Sequence, residues 1–206
     1  MGYKEATLTF HDDKITYIGN PAEGMPDYEE LYPGLENEEI EVMMSWEAPI
    51  MEKSAEFVCQ NGGDILEIGF GMGIASDYIQ SHSPISHTII ELHPQIAERA
   101  RTWASDKPNV TIIEGDWIEE IDSLGSFDGI FFDTWGVFGH WSDVANKTSE
   151  HANSGCHITF WNCVPKEMNG CGFDNSHGIA YEQISVSPPQ NTYFNNSIYY
   201  MPKVVV

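Results

Sequence analysis

From Asp64 onward the chain alternates between two hydrophobic rhythms. Short, nearly unbroken apolar runs at Ile65–Gly69, Thr88–Glu91, Val110–Ile113, Phe127–Asp133 and His157–Asn162 read as strands. Between them, around Ile74–Ser81, Pro94–Ser105 and Ile118–Leu124, and more weakly around Ser142–His151, apolar positions recur at helical spacing. Strands without polar alternation are covered on both faces, so the pattern predicts an α/β fold with a mostly parallel sheet wrapped by helices. Two last runs, IAYEQISV and IYYMPKVVV, are separated only by SPPQNTYFNN. That is too little chain for a helical crossover, which predicts an antiparallel pair at the C-terminal sheet edge.

Ahead of Asp64 the rhythm differs. ATLTFHDDKITYIG alternates apolar and polar residues around His11-Asp12-Asp13-Lys14, the signature of an N-terminal β-hairpin. NPAEGMPDYEELYPGLENEE is broken by Pro, Gly and acid and reads as an irregular segment or lid. VMMSWEAPIMEKSAEFVCQ becomes helical from about Pro49, with Ile50, Met51, Ala55 and Val58 on one face. The expected division is a hairpin-and-lid segment at 1–41 and the main α/β domain at 42–206.

Length and composition suit a single soluble domain: 206 residues and a mean hydropathy of -0.30. No apolar run approaches the roughly 20 residues that cross a bilayer, and the N-terminus lacks a secretory layout, so a cytoplasmic protein is expected. Charge changes the picture more. With 32 acidic against 9 basic residues and a net charge of -23, nucleic-acid and anionic-membrane partners are disfavoured and a cationic substrate is favoured. Most of these carboxylates serve solvation. Cys59, Cys156, Cys163 and Cys171 contain no CxxC pair and read as reduced thiols. The spacing of Cys163, Cys171 and His177 fits no zinc pattern, so no metal is expected.

Chemistry enters at ILEIGFGMGIAS, where Gly69, Gly71 and Gly73 follow the first strand of the alternating region. Ligands of open α/β sheets bind beyond the carboxyl ends of the strands. A dinucleotide turn needs a third glycine three positions after the second, and Ile74 occupies that place. An adenosine ligand without a pyrophosphate, S-adenosylmethionine, fits better. Glu91, at the end of the second strand, suits the ribose hydroxyls. Asp116 suits the adenine amino group, with Trp117 as an apolar wall. Structural alternatives stand beside each: a strand-end acid for Glu91, a helix N-cap for Asp116, plain core for Trp117. The cofactor contacts expected are Glu67, Gly69, Phe70, Gly71, Met72, Gly73, Glu91, Leu92, Asp116, Trp117 and Asp133.

Together VMMSWEAPIMEKSAEFV, ILEIGFGMGIAS, HTIIELHP, IIEGDW and FDGIFFDTW resemble the guanidinoacetate N-methyltransferases and the related protein arginine δ-N-methyltransferases. The likeness runs from about Val42 to Trp135 and implies a Rossmann-like class I methyltransferase sheet. It implies that Met43 and Met51 line the cofactor pocket. It implies that Glu47 and Asp133 bind a guanidino group, with the carbonyls of Cys163 and Val164 accepting its remaining N–H bonds. The implied activity converts S-adenosylmethionine to S-adenosylhomocysteine while methylating a small guanidino compound or a protein arginine. The chain departs from the family at Trp135, where a tyrosine is usual, and in trimmed segments at Gly136–Gly155 and VPKEMNGCGFDNSHG.

The chemistry itself asks for two carboxylates. A guanidinium keeps its proton up to a pKa of about 12 or more and has no free lone pair with which to attack. One acid must anchor its planar fork, and a second must accept a proton as the C–N bond forms. Glu47 is the expected anchor and Asp133 the orienting group and base. The structural alternative for Glu47 is a first-turn acid at a helix start. Competing functions are a catalytically silent cofactor-binding module and a methyltransferase with another small substrate. A monomer or weak homodimer is expected.

Overall fold

The computed structural model describes residues 3–19, 38–134, 141–162, 172–173 and 178–206. A small antiparallel sheet comes first, built from β1 (Leu8–Phe10), β2 (Lys14–Gly19) and β3 (Glu38–Met44). The β1–β2 pair is the hairpin read from the sequence. The third strand is an addition, placed where the sequence suggests an irregular lead-in to a helix. Its alternation is present in Glu38-Glu39-Ile40-Glu41-Val42, with Ile40 buried and facing Tyr17 across the ladder. The density of acid there disguises a strand with one wet face.

A 3-10 turn at Ser45–Glu47 leads into α1 (Ala48–Val58), whose Ile50, Met51, Ala55 and Val58 are all buried. The main sheet then forms from β4 (Asp64–Ile68), β5 (Ser86–Glu91), β6 (Val110–Glu114), β7 (Phe127–Phe132), β8 (Ala152–Phe160), β9 (Ala180–Ser185) and β10 (Ile198–Val205). Helices α2 (Ile74–Ser81), α3 (Pro94–Trp103), α4 (Trp117–Glu120) and α5 (Trp141–Glu150) lie between its parallel strands. The helical stretches read at 94–105 and 118–124 each finish in 3-10 turns, at Ala104–Asp106 and Ile121–Ser123. The strand order is β6-β5-β4-β7-β8-β10-β9. β6 to β8 are parallel, and β10 inserts antiparallel to both β8 and β9.

Strand periodicity of two distributes the core on both faces. β4 sends Ile65 toward α1 and α2, and Leu66 and Ile68 toward the opposite layer. β7 does the same with Phe131 on one side and Ile130 and Phe132 on the other. The small sheet packs Leu8, Ile15, Tyr17 and Ile40 against Phe70, Ile89 and Ile96. It is also tied to α3: the Leu8 N–H donates to Gln95 Oε1 at 2.9 Å, and His93 Nε2 pairs with the Ala6 carbonyl at 3.0 Å. Among the described residues no helix is long and apolar enough to cross a membrane.

Candidate active site

Sheet order reverses at β4, whose neighbours β5 and β7 belong to opposite halves of the winding. A crevice opens there beyond the strand ends, as it does in open α/β sheets generally. It encloses about 1020 Å³ of empty space, counting its open mouth. Its wall brings together Gly69, Phe70 and Gly71 from the turn after β4, and Glu91 and Leu92 from the end of β5. Asp116 and Trp117 follow β6, Asp133 follows β7, and Glu67 comes from within β4. Met43 of β3, Glu47 of the 3-10 turn and Met51 of α1 close the side formed by the N-terminal elements.

Two close approaches explain the glycine spacing. Gly69 has φ +95°, and a Cβ there would overlap the carbonyl oxygen of Asp133. The same junction is fixed by the Asp133 N–H donating to the Ile68 carbonyl at 2.8 Å. Gly71 leaves space for the Met43 sulfur, which accepts the Met72 N–H at 3.1 Å. The turn therefore accommodates the protein's own groups as well as walling the crevice. Gly73 is the left-handed N-cap of α2, and Met72 packs into the surrounding core; neither is a wall residue.

Glu91 is 4 % exposed, and each of its oxygens is already oriented. Oε1 accepts the His93 N–H and Oε2 the Phe70 N–H, both at 2.8 Å. The Gly71 N–H also bonds the carboxylate, so one of its four lone-pair sites remains for a ligand hydroxyl. Burial holds its pKa above the ordinary carboxylate range. Asp116 caps α4 by accepting the Ile118 N–H at 3.1 Å and also lines the crevice, so its structural and ligand roles coexist. Trp117 does likewise, edge-on to Phe132 at 4.9 Å while facing the cavity.

Glu67 is wholly buried. Its Oε2 accepts from Ser76 Oγ at 2.7 Å and pairs with His87 Nε2 at 2.8 Å. Its Oε1 has no hydrogen-bond partner among the described residues. An orphaned carboxylate oxygen in a cavity wall is costly unless a ligand donor reaches it.

Glu47 is 3 % exposed; it holds the N-cap position of α1 without a side-chain capping bond, and is also the first-turn acid of the 3-10 turn, as the structural alternative expected. Its Oε1 turns back to accept the Met44 N–H at 2.8 Å and, from far along the chain, the Tyr193 hydroxyl at 2.6 Å. Burial, and then the charge of Asp133, push its pKa up to about 8, against the pull of those two hydrogen bonds. Asp133 is raised to about 7 by burial, then by Glu67 and Glu91. Five carboxylates thus share one crevice, and no Lys or Arg is among the described residues that line it. Such a wall stabilises a cation and disfavours an anion.

Sequence reasoning missed Tyr193, which sits in a Pro- and Asn-rich connector with no signal of its own. It also missed Tyr3, Val42 and Thr134, which line the wall with several apolar residues of the sheet and helices. Cys163, Val164 and Trp135 lie outside the described residues, as do the lid residues 20–37 and the Cys171 and His177 pair.

A parallel sheet closed by a reversed penultimate position, with acids at successive strand ends around a glycine turn, defines the class I methyltransferase fold. Solved structures agree. The Thermotoga maritima spermidine synthase superposes with a TM-score of 0.64 over 97% of this chain and 72% of its own, at 14% identity. A precorrin-6y C5,15-methyltransferase from Geobacter metallireducens gives 0.59 over 79% and 89%, at 15% identity. The chain belongs to the guanidinoacetate N-methyltransferase family, whose model matches residues 20–143.

Among curated relatives, protein arginine N-methyltransferase 2 of Yarrowia lipolytica is 35% identical over 147 residues, covering 66% of this chain and 27% of the relative. The protein of the same name from Emericella nidulans is 41% identical over 139 residues, covering 65% and 28%. The chain therefore spans little more than a quarter of the length of these relatives. Family membership implies S-adenosylmethionine as methyl donor, and the residues present fit it. Glu67 offers an unfilled acceptor, Glu91 an oriented pair of oxygens, and the acid-rich wall suits a ligand that carries positive charge.

Proposed function

We propose that the chain transfers the methyl group of S-adenosylmethionine to a guanidino nitrogen, either of a small molecule such as guanidinoacetate or of a protein arginine. One observation carries the reading. Glu47 and Asp133, far apart in sequence, line the same crevice as the glycine turn and Glu91. S-adenosylmethionine, when bound, supplies an electrophilic methyl group on a positively charged sulfur. Glu91 would accept from a ribose hydroxyl and Asp116 from its adenine amino group. Glu67 Oε1 would accept a further donor, and Met43, Met51, Phe70 and Trp117 would exclude water from the reacting centre.

Glu47 anchors the flat cation through the oxygen that faces the cavity. Asp133 orients the attacking nitrogen and takes its proton as the new bond forms, and an upward-shifted pKa suits proton transfer near neutral pH. The names of the relatives favour an arginine side chain, and the family name favours guanidinoacetate. Cys59 and Cys156 are buried free thiols, each pushed up to about 12 chiefly by burial, so neither is a thiolate that would compete for the methyl group near neutral pH.

The test is direct. Incubate the protein with S-adenosylmethionine and, separately, guanidinoacetate, free arginine and arginine-containing peptides, and read the methyl mass increment. Robust cofactor binding with no methylated guanidine from any of them would refute the proposal.

A further inference from the structure

The connector between β9 and β10, residues 186–197, is fastened to the N-terminal elements at three successive positions. Thr192 Oγ1 donates to Glu41 Oε2 of β3 at 2.7 Å. The Tyr193 hydroxyl donates to Glu47 Oε1 at 2.6 Å. Phe194 stacks on Trp46, with 5.6 Å between ring centres and 19° between planes. Asn191, 9% exposed, shapes the turn that presents them. Its Oδ1 accepts the N–H groups of Tyr193 and Phe194 at 2.9 and 2.7 Å, and its Nδ2 donates to the carbonyls of Pro189 and Phe194 at 2.9 and 2.7 Å. Trp161 meets Tyr193 edge-on at 6.1 Å. The phenol is thereby aimed, with little rotational freedom left.

What it is aimed at has a consequence for recognition. Glu47 Oε1 already accepts the Met44 N–H, so the Tyr193 hydroxyl fills its second lone pair. Oε2 keeps no partner among the described residues and is left for the cavity. We propose that Tyr193 is a positioning residue for the guanidino group: it holds Glu47 with one saturated and one free oxygen and favours the charged form that the cation binds. The acid then grips the planar cation through one oxygen alone, leaving the cation's other N–H groups to Asp133 and the rest of the wall. The inference rests on the methyl-transfer reading above.

Ionisation is the property at stake. A protonated Glu47 would present an O–H donor to a ligand made entirely of donors. Burial and the facing Asp133 favour that neutral form, and Glu67 and Glu91 act on Asp133 from the same crevice. The hydrogen bonds from Tyr193 and Met44 oppose it. Met44 contributes through its backbone, so Tyr193 is the side chain through which evolution or an experimenter can tune the acid.

The test uses the full chain carrying Tyr193→Phe. Two readouts are followed against pH: kcat/KM with guanidinoacetate or an arginine peptide, and the carbon-13 resonance of the Glu47 carboxyl, assigned by its loss in Glu47→Gln. Removing a hydrogen bond to the charged form raises the acid's pKa. The acidic limb of the rate profile and the NMR midpoint should both move to higher pH by about one to two units, the usual worth of a hydrogen bond to a charged group. KM should rise about tenfold, with the cofactor Kd unchanged. Val144→Ala, in the opposite core layer, is the packing control, expected to lower the melting temperature without moving the midpoint. An unmoved midpoint in Tyr193→Phe, or equal shifts in both variants, overturns the inference. Should the wild type methylate no guanidine, the function proposed above falls alone, and the NMR midpoint still decides whether Tyr193 controls Glu47.

Discussion

In a Glu47→Gln variant the amide oxygen can still accept the Met44 N–H and the Tyr193 hydroxyl, while the titrating proton is gone. Wild-type Glu47 has a folded-state pKa of about 8 against 4.5 for the free side chain. Between those values the native state binds one proton more than the unfolded chain, so this group's contribution to stability falls as pH rises. Integrating that difference from about pH 6 to about pH 8 gives a loss of about 2 kcal/mol in the wild type that the variant escapes. Urea unfolding of the two apoproteins across this range should show the variant gaining on the wild type as pH rises. Guanidino binding by the variant should meanwhile collapse, because the amide turns N–H donors toward a donor ligand. A stability gap that stays constant with pH would show that Glu47 is not held as a strained, proton-hungry acid, and the electrostatic account of the crevice would fail.

Three further outcomes are expected. Asp133→Asn should lower methyl transfer by about 10²–10⁴-fold, the usual worth of a positioned base, with cofactor affinity within a few-fold as measured by calorimetry. Unchanged turnover would remove Asp133 from the chemistry. Glu91→Ala should weaken cofactor binding by about 10–100-fold and cost about 1–3 kcal/mol of stability, since the Phe70 and His93 N–H groups lose their acceptor. Gly69→Ala should destabilise by more than about 2 kcal/mol, since about 1–2 kcal/mol of backbone strain at positive φ adds to the overlap with the Asp133 carbonyl. Denaturant titration together with a loss of cofactor affinity would record it.

The sheet was legible because β4, β5, β7 and β8 carry their burial in apolar runs bounded by Gly, Pro and acid, while β6, at the edge and without a fully buried residue, keeps an apolar run of its own. The acids at the ends of β5, β6 and β7 were legible for the same reason, since a strand end in such a sheet is already a position in space. β3 was not, because the exposed Glu38 and Glu39 and the half-buried Glu41 drown the signal of Ile40 and Val42. Asp116 resisted a choice between helix cap and ligand contact because the structure uses one carboxylate for both. Tyr193 was beyond reach for a deeper reason. Its meaning lies in a hydrogen bond across 146 residues of sequence, and neither periodicity nor turn chemistry encodes a partner at that separation.

Glu91, Asp116 and Asp133 stand at or just beyond the carboxyl ends of β5, β6 and β7, on the side of the crevice and away from the amino rim. The turns that enter β4, β5, β6 and β7, at 59–63, 82–85, 107–109 and 124–126, emerge on that far side. Ile85 there is 75% exposed. A fluorophore, an affinity handle or an inserted peptide grafted onto the 82–85 turn should therefore leave the crevice intact, which makes that rim the natural attachment point for immobilised or reporter forms of the chain.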